Sequence, residues 1–283
     1  MTGTRYGIVA GYDGSPGSVR ALRWAAREAQ ERGTTLTVCL AWTPDQMEPP
    51  AEPALAELAR QHGQKILARG LPYAESVLGP DRVRPDLAAG SAAYVLCERS
   101  RAAGMVVVGG RGHSELPGLL LGSVSWQVAG HAAGRVVVVR GEWRPANQAP
   151  GPVVVGADGS PAAQDAVAFA FEEAALRDAP LVAVSVSAHT AGRLGESRQI
   201  RDDFEDLMAR EAKEHPEVSV THRVLPGTPR AALLAASAGA QLIVVGARGR
   251  DGIDDMALGS VAQAVLHHAP CPVGVVHQVP RDR

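Results

Sequence analysis

Lysine is nearly absent from this sequence. Its 283 residues include only Lys65 and Lys213, and neither belongs to a G-x-x-x-x-G-K-[ST] loop, in which a lysine contacts bound phosphates. This absence excludes phosphoryl transfer of the P-loop type. The S-G-G-x-D-S loop of ATP pyrophosphatases and the G-x-S-x-G elbow of serine hydrolases are absent too. We therefore expect a protein that is not an enzyme.

The sequence also lacks a strong charge of either sign and any long apolar segment. Its formal net charge is -2, which gives no basic surface for nucleic acid, so we expect no nucleic-acid partner. Apolar stretches such as residues 105–108 are far shorter than the ~18 residues that a membrane span needs. We expect no membrane partner and a cytoplasmic location. Cys39, Cys97 and Cys271 lack metal-ligand spacing, which favours buried reduced thiols.

The second half of the chain repeats motifs of the first. Residues 11–16, 108–112 and 121–124 of the first half recur as residues 156–161, 245–249 and 258–261 of the second. A polar stretch broken by proline, residues 142–151, separates the two copies and is typical of a linker. The repeat predicts two domains, residues 1–143 and 151–280.

Apolar and amphipathic segments alternate within each half. The predicted strands are residues 6–11, 36–42, 82–88, 105–109 and 135–140, then 152–156, 181–187, 218–225, 242–246 and 272–277; the first half has helices at 16–32, 52–71, 92–103 and 123–133. This alternation predicts an α/β fold: two tandem doubly wound domains, each a five-stranded parallel sheet with helices on both faces. Such sheets bind ligands beyond the carboxyl ends of their strands, where the strand order reverses.

The first predicted strand ends in a Gly-Tyr-Asp-Gly-Ser-Pro turn. Ser15 is a good helix N-cap, and Pro16 suits the first helical position. Asp13 has two possible roles. Its carboxylate either accepts hydrogen bonds from a ribose hydroxyl or an adenine amino group, or it stabilises an Asx turn. Asp158 repeats the position in the second half.

A glycine loop follows the fourth predicted strand. Gly109 and Gly112 lie at its start, and after nine intervening residues Gly122 and Ser123 open a helix. Glycines let the backbone take positive φ and approach a ligand closely. A helix N-terminus attracts phosphate through unpaired N–H groups and its dipole. Ser123 either caps this helix or donates to a phosphate oxygen.

The loop recurs in the second half at Gly246, Gly249, Gly259 and Ser260. The repeated spacing predicts a phosphate site in each half. Arg111 and Arg248 occupy the same place in the two loops, where they either steer phosphate or form surface salt bridges.

The turn, the glycine loop, and residues 119–125 and 267–273 resemble the universal stress protein family in its tandem, ATP-binding form, over nearly the whole chain. The resemblance implies layering like that of adenine nucleotide alpha hydrolases or flavodoxin. It also implies that adenosine binds at the first turn and the end of the second strand, and that phosphates bind on the glycine loop. The implied nucleotide-binding residues are Gly11, Asp13, Ala41, Gly109, Arg111, Gly112, Gly122, Ser123 and Val124 in the first half, and Gly156, Asp158, Val186, Gly246, Arg248, Gly249, Gly259, Ser260 and Val261 in the second.

The expected cofactor is ATP with Mg²⁺, and no metal site formed by protein side chains alone is expected. The adjacent His267 and His268 make a poor metal pair, since helical neighbours point about 100° apart. Asp251, Asp254 and Asp255 lie between the glycines of the second loop and would repel a triphosphate unless Mg²⁺ intervenes, so we predict that the second site is the weaker.

The resemblance implies a nucleotide-dependent stress-response regulator, acting as a homodimer or an intrachain pseudo-dimer. The short last strands, near residues 136–139 and 273–276, are candidates for such pairing at sheet edges. Two alternatives stay open. One is a weak ATPase or adenylate-transferring enzyme, and slow hydrolysis of bound ATP is the most activity expected. The other is a nucleotide-free packing or interaction module.

Overall fold

The chain folds as two units, Met1–Val139 and Arg140–Arg283, in the computed structural model. The structure describes residues 6–43, 53–112, 121–140, 151–186, 194–249 and 257–278. Most of the predicted linker, residues 142–150, lies outside these ranges, so the predicted domain limits stay predictions.

Five parallel strands form the sheet of the first unit, in the order β3-β2-β1-β4-β5. Helices α1 and α3 both pack on β1 and β4, but α1 pairs with α2 and α3 pairs with α4, so the helices cover both faces. The elements are β1 (Tyr6–Gly11), α1 (Pro16–Glu31), β2 (Leu36–Trp42), α2 (Pro53–Leu78), a 3₁₀ turn (Pro80–Arg82), β3 (Val83–Ala89), α3 (Ala92–Ser100), β4 (Ala103–Gly109), α4 (Ser123–His131) and β5 (Arg135–Val139).

The second unit repeats this arrangement. Its parallel strands have the order β8-β7-β6-β9-β10, with α5 beside α6 and α7 beside α8. The elements are β6 (Val153–Gly156), α5 (Pro161–Leu176), β7 (Leu181–Val186), α6 (Leu194–Glu214), β8 (Val220–Leu225), α7 (Pro229–Ala236), β9 (Leu242–Gly246), α8 (Ser260–His268) and β10 (Val273–Val276).

The predicted fold class is confirmed. In each unit the strand order reverses at the central pair, β1 with β4 and β6 with β9, which is where a doubly wound sheet opens its crevice. The order 3-2-1-4-5 differs from the flavodoxin order 2-1-3-4-5, so the likeness to flavodoxin is limited to the layering.

Apart from β3 and β8, whose residues are mostly exposed or half-buried, the strands of each sheet are buried on both faces, which explains their continuous apolar runs. All four valines of residues 136–139 are 0% exposed. Among the described residues, the two least exposed charged side chains are glutamates on α1 and α5. Glu28 and Glu173 are 1% and 0% exposed, and each pairs with an arginine one helical turn later, Arg32 and Arg177. These pairs neutralise carboxylates that would otherwise be costly to bury.

Several predicted boundaries in the first unit are wrong, and three of them concern α2, α3 and β4. Helix α2 continues past residue 71 and through Pro72 to Leu78, because the buried Ala74 and Leu78 extend its apolar face. Helix α3 ends at Ser100, not residue 103. Strand β4 begins two residues before the predicted 105, since Ala103 already pairs with Tyr6 of β1.

None of the helices among the described residues is long and apolar enough to cross a membrane.

The three cysteines are free thiols, of which Cys39 and Cys271 are buried and Cys97 is half-buried. Burial raises the pKa of Cys39 to about 12, and the nearby Asp86 carboxylate adds to the effect. Burial likewise raises the pKa of Cys271 to about 12.

We predict that iodoacetamide at pH 8 alkylates Cys97 first in the native protein. The thiolate is the reactive species, and burial suppresses it at Cys39 and Cys271. Peptide mass spectrometry would follow the three rates, with a urea-unfolded sample as the control in which all three react. Modification of Cys39 or Cys271 as fast as Cys97 in the native protein would contradict this prediction.

A second prediction concerns His222 on β8. Its Nε2 lies 2.9 Å from Ser185 Oγ, and its ring contacts Phe204 at 4.7 Å between centroids. His222 is exposed as a residue, but partial burial of its ring lowers its pKa, and Glu205 opposes the shift only in part. The unfolded chain therefore binds this proton more tightly than the folded chain does. The stabilisation is present above the ordinary histidine pKa of about 6.5 and is lost as pH falls through the lowered value.

We expect His222→Gln to reduce the loss of stability between pH 7 and pH 5, as measured by urea unfolding at both values. His131→Gln, at an exposed histidine on α4, is the matched control. Equal pH dependence in the His222 variant and the wild type would contradict the prediction.

Candidate functional site

The turn after β1 has the geometry of a capped helix start. Ser15 Oγ accepts a hydrogen bond from Ser18 N at 3.2 Å, which confirms Ser15 as the N-cap of α1. Asp13 Oδ1 accepts from Ser15 N at 2.9 Å, and this is an Asx turn. Gly14 supplies the φ of +81° that the turn requires.

The second unit repeats the turn. Asp158 Oδ1 accepts from Ser160 N at 3.0 Å, and Gly159 has φ of +78°. The structural role considered for the two aspartates is therefore observed in both units, and it uses only one carboxylate oxygen.

The second carboxylate oxygen faces the glycine loop. A Cβ atom at Gly112 would lie 3.2 Å from Asp13 Oδ2, and one at Gly249 would lie 2.8 Å from Asp158 Oδ2. Asp13 is half-buried and Asp158 is exposed. Each carboxylate therefore stands between the turn after the first strand and the glycine loop after the fourth, at the reversal of strand order.

Several predicted site glycines are required by packing. A Cβ atom at Gly109 would lie 2.4 Å from the carbonyl carbon of Gly17, so β4 ends directly against the first turn of α1. Gly246 lies in the same way against Ala162. Gly11 and Gly156 make room for Leu96 on α3 and Leu233 on α7, respectively.

The expectation of positive φ in the glycine loop is wrong. Among the described residues, the left-handed glycines do not include Gly109, Gly112, Gly122, Gly246, Gly249 or Gly259. The loop glycines instead permit close approach, either of backbone to backbone or of the Asp13 and Asp158 carboxylates to the loop.

Gly122 differs clearly from the packing glycines and Gly259 differs less, since a Cβ atom at Gly259 would lie 3.3 Å from Gly249 N. A Cβ atom at Gly122 would have no neighbour closer than 3.5 Å, which is ordinary van der Waals contact. Gly122 N donates to Gly110 O and Gly259 N donates to Ala247 O, both at 2.8 Å, so each loop is closed where its helix begins.

These two glycines are the N-caps of α4 and α8, and neither helix has a side-chain cap. In contrast, a serine or threonine caps each of α1, α3, α5 and α7. The capping role considered for Ser123 is therefore wrong: Ser123 and Ser260 are the first helical residues, and their side chains are exposed. The other role considered for Ser123, donation to a phosphate oxygen, stays a prediction.

The strand register relates the two adenosine-side residues to each other. Gly11 pairs with Cys39 and Gly156 pairs with Val184, so Ala41 and Val186 lie at equivalent positions, two residues further along β2 and β7. Both are half-buried.

The remaining predicted residues lie around the loops. Val124 and Val261 are half-buried in the first turns of α4 and α8. Arg111 and Arg248 are exposed and form no ion pair with any residue that the structure describes. The three aspartates predicted to weaken the second site, Asp251, Asp254 and Asp255, lie outside the described residues.

No group of three histidine, cysteine or acidic side chains suited to a metal ion occurs among the described residues. His267 and His268 lie in the last turn of α8, with ring centroids 6.2 Å apart.

Sequence reasoning missed two buried hydroxyl groups. Ser18 Oγ accepts from Asp13 N at 3.2 Å and donates to Ser15 O at 3.0 Å. Ser125 Oγ donates to Gly109 O at 2.5 Å. Ser18 lies three residues after the N-cap, a spacing at which a polar side chain reaches back to the cap, so this signal was present in the sequence. Nothing in the sequence marked Ser125.

Comparison with known proteins covers both units. The model of the universal stress protein family matches residues 7–140 and 151–277. A universal stress protein of Mycolicibacterium smegmatis is 35% identical over 98% of this chain and 98% of its own.

Two solved structures are also similar. A universal stress protein of Archaeoglobus fulgidus covers 96% of this chain and 98% of its own, with 20% identity and a TM-score of 0.73, which shows the shared fold. A universal stress protein solved in complex with cAMP covers 48% of this chain and 97% of its own, with 27% identity and a TM-score of 0.39. Since the family model and a relative with 35% identity both span nearly the whole sequence, this chain belongs to the universal stress protein family.

Proposed function

We propose that each unit binds ATP, with Mg²⁺ carried by the nucleotide, and that nucleotide occupancy makes the chain a regulator of a stress response. The observation that supports this most is the start of α4 and α8: a glycine N-cap with no side-chain cap, beside the glycine loop. The first N–H groups of these helices are therefore left for a ligand, and phosphate is the ligand that such helix starts favour.

The two sides of each crevice differ in chemistry. On one side, the second oxygen of Asp13 is an acceptor for a ribose hydroxyl. A carboxylate repels phosphate, so the ribose and not the phosphate chain belongs beside it. On the other side, the exposed Arg111 attracts the phosphates. The nucleotide would thus run from the end of β2, near Ala41, to the first turn of α4.

Binding without dedicated catalysis is the second part of the proposal. Among the described residues of the first unit, Asp13 is a carboxylate that stands beside the glycine loop, and its Oδ1 is held in the Asx turn. A general base must reach the attacking water, and a side chain fixed in a turn reaches it poorly. Occupancy, not turnover, would then be the signal. Pairing through the last strands, as a homodimer or within one chain, belongs to the same proposal.

The first measurement is a calorimetric titration of nucleotide-stripped protein with Mg-ATP. We expect two equivalents per chain, of which Gly122→Val removes one and Gly259→Val removes the other, because the valine side chain projects where phosphate would bind. No heat and no protection against thermal unfolding would contradict the proposal and favour the nucleotide-free module. Single-turnover ADP formation that Asp13→Ala slows would instead favour the weak ATPase.

A matched pair of glycine variants separates packing from ligand binding. We expect Gly109→Ala to destabilise the protein by about 1–3 kcal/mol, since the new methyl group overlaps the Gly17 backbone. Gly122→Ala has room for its methyl group and should unfold close to the wild type without nucleotide. Urea unfolding of both variants measures the difference. Equal stabilities would show that the β4 to α1 contact is looser than the structure indicates.

A further inference from the structure

The two candidate sites differ in the buried hydroxyl groups that hold their backbone segments together by hydrogen bonds. In the first unit, Ser18 and Ser125 are 5% and 4% exposed, and each makes a hydrogen bond that crosses between parts of the site. In the second unit the equivalent residues are Ala163 and Ala262, which have no hydroxyl to offer. Their equivalence follows from the backbone: Ser18 N and Ala163 N donate to the N-caps of their helices at the same 3.2 Å.

Ser18 fixes the adenosine side of the first site. Its hydroxyl accepts from Asp13 N and donates to Ser15 O, so the backbone of Asp13 is tied to the first turn of α1. Asp158 of the second unit keeps the Asx turn, but the position that corresponds to Ser18 is occupied by Ala163. Consistent with this, Asp13 is half-buried and Asp158 is exposed.

Ser125 fixes the phosphate side. It is the third residue of α4, and its bond to Gly109 O ties the first turn of that helix to the end of β4. The start of the glycine loop also lies closer to helix α1 in this unit than in the second. A Cβ atom at Gly17 would lie only 1.8 Å from Arg111 O, and in the second unit Ala162 carries a Cβ atom at the equivalent position.

We propose that Ser18 and Ser125 are positioning residues that preorganise the first nucleotide site, and that the second site, without them, is less preorganised. This inference rests on the proposed function. A site that is already ordered binds more tightly, because less conformational freedom is lost on binding. The first site then fills at low nucleotide concentration and the second fills at higher concentration. One chain therefore senses a wider range of nucleotide concentrations.

Single-site proteins test the proposal. Gly259→Val leaves only the first site, and Gly122→Val leaves only the second. Calorimetry with Mg-ATP, well below the unfolding temperature, should give an affinity about tenfold higher for the first site, the effect expected of two buried hydrogen bonds. Adding Ser18→Ala and Ser125→Ala to the Gly259→Val protein should weaken its affinity by about the same factor.

The reciprocal variant separates positioning from folding. Adding Ala163→Ser and Ala262→Ser to the Gly122→Val protein should tighten the second site, and a purely structural role would not produce that gain. If both sites bind and neither exchange changes its affinity, the positioning role is overturned and the proposed function stands. If the protein with Ser18→Ala and Ser125→Ala does not fold, the alanine-to-serine protein decides the question. An unchanged affinity in that protein overturns the positioning role and leaves the proposed function standing. Absence of binding at both sites of the wild type overturns both proposals.

Discussion

The candidate site depends on the close approach of a strand end to a helix start. In the first unit, β4 ends at Gly109 directly against Gly17 of α1, with no side chain between them. Since α1 begins at the turn that follows β1, this contact brings that turn and the glycine loop to the same edge of the sheet. A larger residue at Gly109 would separate the two sides of the crevice before it touched any ligand. The shape of the site is therefore set by backbone packing, and its polar groups act within that shape.

Sequence reasoning predicted the strands well because strands buried on both faces are continuous apolar runs, as in residues 136–139. The ends of the helices were harder to predict from the sequence. Pro72 normally ends a helix, but the apolar face of α2 continues to Leu78, and its burial outweighs the local cost of the proline. The repeat fixed which residues correspond between the units, and the strand register places Ala41 and Val186 at equivalent positions.

The roles of the glycines could not be separated from the sequence. Gly109 and Gly122 belong to one motif, but the first has backbone against its missing side chain and the second has space there. Both roles require the absence of Cβ, so the pattern is identical for packing and for ligand approach. Ser125 was missed for a related reason. Its importance depends on Gly109 O, sixteen residues away along the chain, and no local spacing encodes that meeting.

The scarcity of lysine gains a physical meaning from the site. A lysine on bound phosphate is a full charge, whereas an exposed helix start acts as about half a charge and contributes about 0.3–1 kcal/mol to an anion beside it. A site built mainly from helix termini therefore releases nucleotide more readily than a P-loop does. A regulator whose occupancy follows nucleotide concentration needs such exchange. Under the proposed function, the two units would meet this need on the same fold, and the serine-to-alanine differences at positions 18 and 163, and 125 and 262, would give one chain two sites of different nucleotide affinity.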